Sequence, residues 1–248
     1  MTTESAVREV RPALRNTLAA AAEELRVSLS AEQSTQLLDY IELLAHWNRT
    51  YNLTAVRDPV GMLTQHIVDC LAAVPSLRRE RRGGRILDVG SGGGLPGVVW
   101  AVMNPELDVT CVDSVGKKAA FVQQAAAALA LRNLHSQQGR VETLLVPRFD
   151  LVASRAFAAL PDFVAMTAAL LAAGGAWLAM KGKVPADEIA ALASDIEVFH
   201  VEQLQVPGME ADRCLVWMQH ATTNANEDML SRESGCPQST HFPEAGPP

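Results

Sequence analysis

RILDVGSGGGLPG, residues 85–97, decides how this chain is read. Residues 86–89 form a short apolar run with the pattern of a strand, and it leads straight into Gly90, Gly92, Gly93 and Gly94. Pro96 stands where a helix would begin, a place where a missing N–H costs nothing. Glycines let the backbone turn sharply and approach a ligand without a Cβ in the way. In open α/β proteins such a turn, at the carboxyl end of the first strand, is where nucleotides bind. Asp113 closes the next apolar run, 25 residues after Asp88. A carboxylate at that strand end can accept both ribose hydroxyls of a nucleoside. A glycine turn alone is a weak signal; the acidic strand end makes it a nucleoside signal.

The identity of the nucleoside follows by comparison. Gly92, Gly94 and Gly97 match the dinucleotide fingerprint in spacing, but that match starts two residues late, after a D-V-G-S-G that already makes the turn. No second catalytic domain follows, and no Gly-Lys-Ser/Thr completes a phosphate loop. S-adenosylmethionine fits better, having one nucleoside, no pyrophosphate and a zwitterionic tail near the glycines. Later strand ends should complete the site. Val141 and Glu142 follow the third strand and can frame the adenine edge, although Glu142 in a first helical turn would also be explained by the helix dipole. Arg155 follows the strand FDLVA, at the mouth of the site, where it can pair with a carboxylate or phosphate or simply face solvent.

From residue 85 onward strands and helices alternate. Strands are expected at 86–89, 109–113, 134–138, 149–153 and 176–180, with helices at 96–103, 117–130, 161–172 and 185–194. This alternation predicts an α/β, doubly wound, mostly parallel sheet. Residues 197–205 and 214–219 follow too closely for a crossover helix and read as an antiparallel hairpin. The uncharged stretch 163–180 contains Gly174-Gly175 and reads as a core helix, then a core strand, rather than a membrane span. Residues 10–80 read as helical. Ser30 with Gln33 forms a capping box ahead of a face made by Leu37, Leu38, Ile41, Leu44 and Ala45. A second helix is expected at 59–73, and the link WNRTYNLTAVRD between the two is dense in ligand-capable side chains. The division that results is a helical cap at 1–82, a nucleoside-binding domain at 83–220 and a disordered tail at 221–248, poor in apolar periodicity.

Charge and cysteine usage narrow the function classes. The net charge of −7 excludes a protein that holds nucleic acid by overall positive charge. The acidity is uneven: residues 1–149 carry a net +1, residues 150–220 a net −5 and residues 221–248 a net −3. An anionic partner is therefore expected at the front half, at Arg49, Arg57, the run Arg78, Arg79, Arg81 and Arg82, and Lys117-Lys118, with Lys181 and Lys183 as further candidates. The four cysteines are far apart and make no CxxC pair, which argues against disulfides and structural zinc and for a reducing compartment. The N-terminus carries Glu4 and Glu9 and has no apolar core of a secretory signal. A cytoplasmic protein without membrane or metal partners is expected.

In order and spacing, WNRTYNLTAVRD, HIVDC, ILDVGSGGGLPG, VDSVGKKAAF, GRVE, FDLVASRAFA and AMKGK resemble the RsmG/GidB family of bacterial methyltransferases, over roughly residues 35–220. The resemblance implies a class I (Rossmann-like) fold and S-adenosylmethionine-dependent N7-methylation of one guanosine, position 527 in the family's customary 16S rRNA numbering, on the small ribosomal subunit. It also implies that Gly90 and Leu95 line the cofactor, Val141 and Glu142 hold its adenosine end and Arg155 completes the pocket. Gly92 belongs to the same turn, and Asp113 matches the acidic strand end of the class. Guanine N7 has an in-plane lone pair and no proton, so no catalytic acid or base is expected. The position after the fourth strand reads Ser154-Arg155-Ala156-Phe157, not the Asn/Asp-Pro-Pro-aromatic clamp of exocyclic-amine enzymes. Phe157 and Trp47 are candidates to stack on the cationic product, or to pack in the core. A small-molecule methyltransferase on the same fold and a non-catalytic rRNA-binding assembly factor remain open alternatives.

Overall fold

The computed structural model describes residues 3–81 and 83–221, with side chains from residue 9 onward. The expected tail beyond Ala221, Arg82 of the basic run and Cys236 lie outside the described residues.

The chain opens with helices α1 (Thr3–Glu24) and α2 (Ala31–Tyr51). Ser30 and Gln33 make the capping box in both directions, and the face Leu37, Leu38, Ile41, Leu44 and Ala45 is buried. Asn52, in the left-handed conformation, ends α2. Helix α3 (Pro59–Glu80) starts at Asp58, whose side chain accepts from the Gly61 N–H at 2.6 Å. Within it, Leu63–Val68 forms a π-helical turn. The helix continues past the expected end at residue 73 because Pro75 falls in the first turn of its last segment, where no N–H is missed. By length and composition α3 is the one helix among the described residues able to cross a membrane, yet 72% of its apolar window is buried inside the protein.

Seven strands follow: β1 (Gly84–Val89), β2 (Leu107–Asp113), β3 (Leu134–Gln138), β4 (Phe149–Arg155), β5 (Leu171–Lys181), β6 (Ile196–Leu204) and β7 (Arg213–His220). Their order is β3-β2-β1-β4-β5-β7-β6. The first five are parallel, while β7 runs antiparallel to both β5 and β6. Helices α4 (Gly97–Met103), α5 (Gly116–Ala128), α6 (Leu160–Thr167) and α7 (Ala186–Ala190) connect them. The order reverses between β1 and β4, which opens a crevice at their carboxyl ends.

One expectation is corrected at Gly174-Gly175. These glycines do not separate helix from strand; β5 already begins at Leu171 and passes through them. Its pairing with β4 jumps from Phe149–Leu171 to Leu151–Ala176, so the extra residues bulge outward, with Gly174 at φ +71°. A bulge is the other common use of glycine inside a strand. The helix expected at 185–194 is also shorter, as α7 covers only Ala186–Ala190.

Two apolar clusters hold the sheet. One joins α1–α5 to one face, from Leu14 and Ile41 through Trp100 to Trp217; the other packs α6 against the opposite face around Phe163 and Trp177. The N-terminal helices thus share a core with the sheet. Each fully buried indole N–H has an acceptor: the Cys70 carbonyl for Trp100, Thr167 Oγ1 for Trp177 and Ser76 Oγ for Trp217. Unpaired, each would cost on the order of 1–3 kcal/mol.

Candidate active site

The glycine turn is fixed from two sides. The Gly90 and Ser91 N–H groups both donate to the Val112 carbonyl, at 2.9 and 3.1 Å, which ties the turn to the end of β2. From the other side, the Tyr40 hydroxyl of α2 donates to the Gly93 carbonyl at 2.7 Å. Tyr40 is buried, and burial pushes its phenol well above the usual range, so it stays a neutral donor. Gly90 has φ +66°, and a Cβ there would lie 2.5 Å from the Phe157 ring. No other residue fits that place.

Asp113 sits where the strand-end argument placed it. Its Oδ2 accepts from the Gly92 N–H at 3.0 Å and its Oδ1 from the Val115 N–H at 2.9 Å, with Lys118 Nζ 3.6 Å from Oδ2. These bonds lock the carboxylate toward the cleft, and each oxygen keeps a second lone pair for a hydroxyl.

Two cavities meet at Gly90. The larger, about 440 Å³, is lined by Asp113, Lys118, Val141, Glu142 and Phe157 as well as Gly90, a size typical of small-molecule sites. The smaller, about 170 Å³, is lined by Gly92, Leu95 and Arg155 and closed by Thr54 and His66 from the helical layer. All seven residues singled out in the sequence therefore border these two cavities. Glu142 is the acid in the first turn of a three-residue 3₁₀ helix, Val141–Thr143, and it also borders the larger cavity.

Arg155 also borders a third cleft of about 340 Å³, with Ala156, Lys181, Arg213 and Asp69. Asp69 is buried and joins two strands: its Oδ2 accepts from Arg155 Nη1 at 3.1 Å and its Oδ1 from Arg213 Nε at 2.8 Å. Arg155 Nη1 also donates to the Gln65 carbonyl at 3.0 Å. Lys181 Nζ is held by Glu188 at 2.7 Å and by the Ala158 carbonyl. The wall thus carries two arginines against one carboxylate, an excess of positive charge at the strand ends. Ala156, at φ +56°, turns the chain sharply between Arg155 and Phe157.

A family model described as "GidB: rRNA small subunit methyltransferase G" matches residues 33–216. The chain belongs to the GidB family. It is 60% identical over 207 residues to the "Ribosomal RNA small subunit methyltransferase G" of Acidovorax sp. (strain JS42), covering 79% of this chain and 91% of that protein. It is 57% identical over 219 residues to the protein of the same name from Paracidovorax citrulli (strain AAC00-1), covering 83% and 90%. Among solved structures, TrmN from Thermus thermophilus superposes with a TM-score of 0.51 at 21% identity, over 64% of this chain and 53% of that one. The expected class I methyltransferase fold is borne out.

Within this GidB chain, other candidates sort by position. Phe157 lies at the junction of the cavities, edge-on to Phe163. Trp47 instead packs against Tyr51 and Phe121, at ring separations of 5.2 and 5.6 Å, and borders neither of the two cavities that meet at Gly90. Arg78 is bonded to Asn104, between α4 and β2, and Arg79 to Glu202 on the edge strand β6; neither borders the two cavities that meet at Gly90. Asp88, overlooked as a site residue, is fully buried behind the turn. Its Oδ2 accepts from the Gly97 N–H at 2.8 Å, while its Oδ1 has no partner among the described residues. Burial raises its pKa to about 7, against the pull of the Gly97 bond and of Arg155. Burial also pushes the Cys111 thiol well up, so this strand cysteine is no thiolate nucleophile. No cluster of metal-ligating side chains occurs among the described residues.

Proposed function

We propose that this protein transfers a methyl group from S-adenosylmethionine to N7 of a guanosine in small-subunit ribosomal RNA, guanosine 527 of the 16S molecule. The observation that carries this reading is the meeting of two cavities at Gly90, one ending on the Asp113 carboxylate and the other on Arg155, in a GidB-family chain. When bound, S-adenosylmethionine supplies an electrophilic methyl on a cationic sulfur.

The chain's own part is placement. The spare lone pairs of Asp113 accept the ribose hydroxyls, Val141 and Glu142 border the adenine edge, and the bare Cα of Gly90 admits the donor to the junction. Gly92 and Leu95 wall the far side, with Arg155. Guanine N7 presents its lone pair in the ring plane and needs no proton removed, so orientation supplies most of the rate. No side chain is assigned as acid or base, and no metal is needed to activate an acceptor that is already nucleophilic. The methylated guanine is a cation, and the Phe157 ring at the junction can stabilise it by about 0.5–2 kcal/mol. The RNA backbone enters at the ends of β4, β5 and β7, where Arg155, Lys181 and Arg213 offer positive charge locally despite the acidic total. The protein works in the cytoplasm, without a membrane partner.

The test is chemical mapping of N7-methylguanosine in 16S rRNA from cells lacking this protein and from cells regaining it. The modification should vanish and return at one position, and an Arg155→Ala copy should not restore it. Methyl label appearing in low-mass metabolites would make the substrate a small molecule. Unchanged RNA with no S-adenosylhomocysteine formed would leave an assembly factor.

A further inference from the structure

We propose that Thr54 and His66, from the N-terminal helical layer, hold the amino-acid end of the methyl donor. The proposal rests on the S-adenosylmethionine reading and adds the residues for the half of the molecule that the sheet leaves uncovered. The donor is long and has two unlike ends. Its nucleoside end belongs to the larger cleft, where Asp113, Val141 and Glu142 stand. The cavity beyond Gly90, about 170 Å³, must then take a short chain bearing one carboxylate and one ammonium.

The hydrogen-bond arithmetic of its wall points to an anion. His66 is 8% exposed. Its Nε2 lies 2.7 Å from Thr54 Oγ1, and its Nδ1 is buried with no hydrogen-bond partner among the described residues. Thr54 Oγ1 already accepts the Val56 N–H at 3.1 Å. If the hydroxyl donates to Nε2, the ring proton sits on Nδ1 and has no acceptor. If Nε2–H donates to the hydroxyl, the hydroxyl proton has none. In either tautomer the pair keeps one donor unspent. The Gln65 carbonyl faces the ring and has a lone pair left beside its bond from Arg155, but it lies outside good hydrogen-bond geometry for Nδ1. Burial, and next the Arg155 charge, hold the imidazole pKa below its usual value, so the ring is a neutral donor. Among the described residues, Arg155 has protein acceptors only for Nη1, which leaves Nε and Nη2 available to the same carboxylate. A site with one buried spare donor and one adjacent guanidinium matches an amino-acid carboxylate.

Titration calorimetry on the full chain tests this with two ligands, S-adenosylhomocysteine and 5′-methylthioadenosine, which lacks the amino-acid end. His66→Phe keeps the ring's bulk and removes both nitrogens; Thr54→Val removes the hydroxyl. Each should weaken S-adenosylhomocysteine about tenfold or more and leave 5′-methylthioadenosine within about twofold. His66→Asn, which restores a donor, should recover part of the loss. Equal weakening of both ligands, or no weakening of S-adenosylhomocysteine, overturns the proposal. If His66→Phe lowers the melting temperature sharply, Thr54→Val decides alone. A wild-type chain that binds neither ligand overturns the cofactor reading, and the proposal with it.

Discussion

The two cavities that meet at Gly90 are made of different material. The larger is a product of the sheet: its walls come from the ends of β1 and β2, the turn after β3 and the loop after β4. Any chain with this strand order and an acidic end to β2 would build something similar. The smaller needs the helices as well, because Leu44, Leu53, Thr54 and His66 close it. The difference teaches that the helical layer is part of the site's wall. It is held there by Tyr40 on the turn and by Asp69 between Arg155 and Arg213.

The largest effect should come from cutting that second tie. Asp69→Ala leaves two partly buried arginines facing one another, and should lower the unfolding free energy on the order of 3 kcal/mol. A denaturant titration measures it, and a loss under about 1 kcal/mol would mean that the layer is held by apolar packing alone. Next, Gly90→Ala puts a methyl group at the junction, 2.5 Å from the Phe157 ring. Affinity for S-adenosylhomocysteine should fall roughly a hundredfold, since both cavities are obstructed. Gly92→Ala is the contrasting case: its Cβ meets nothing within 4 Å, and only φ +58° resists it. That change should cost roughly 1–2 kcal/mol of stability and less than about tenfold in affinity. Equal losses for the two glycines would show that turn conformation, not space at the junction, controls binding.

Tyr40→Phe is gentler. Losing the bond to the Gly93 carbonyl should cost about 1 kcal/mol, read as a small drop in melting temperature with a few-fold loss of ligand affinity. The last effect depends on pH and belongs to Asp88. Its folded pKa of about 7 lies above the ordinary carboxylate value, so the folded state holds the proton more tightly. That contribution to stability is complete below about pH 4 and is lost as pH rises from there through about 7. Asp88→Asn removes the dependence. Its melting temperature relative to wild type should therefore climb by roughly 5–10 °C between about pH 5 and pH 8, about 2–3 kcal/mol of stability. A constant difference would mean that Asp88 ionises freely.

Features with local causes were legible in the sequence. The Ser30–Gln33 box, the glycine turn, Asp113 and the close pair β6–β7 each announce themselves within a few residues. Arg155 was legible by its place after a strand, but its partner was not. Asp69 lies 86 residues before it and 144 before Arg213, and no local pattern marks such a pairing. Arg213, next to a strand in an acidic third of the chain, gave no signal at all. The bulge at Gly174 was misread because glycine marks both a helix end and a strand irregularity, and only the pairing with β4 separates the two. Thr54 stood out only as one of many ligand-capable side chains in its link; its pairing with His66, and their unspent donor, become visible only when the loop and α3 are brought together. Asp88 was hidden because an acid inside a strand looks like spacing rather than chemistry.

The bond from Trp217 to Ser76 spans 141 residues, and Trp217 belongs to the same apolar cluster as Leu14 and Ile41. During synthesis the helices therefore emerge with their apolar faces bare, and the strand that completes their cover is made more than a hundred residues later. Until then a nascent chain exposes the surfaces that chaperones recognise. A fragment beginning at β1 inherits the complementary fault, with one face of its sheet open to water and prone to clumping.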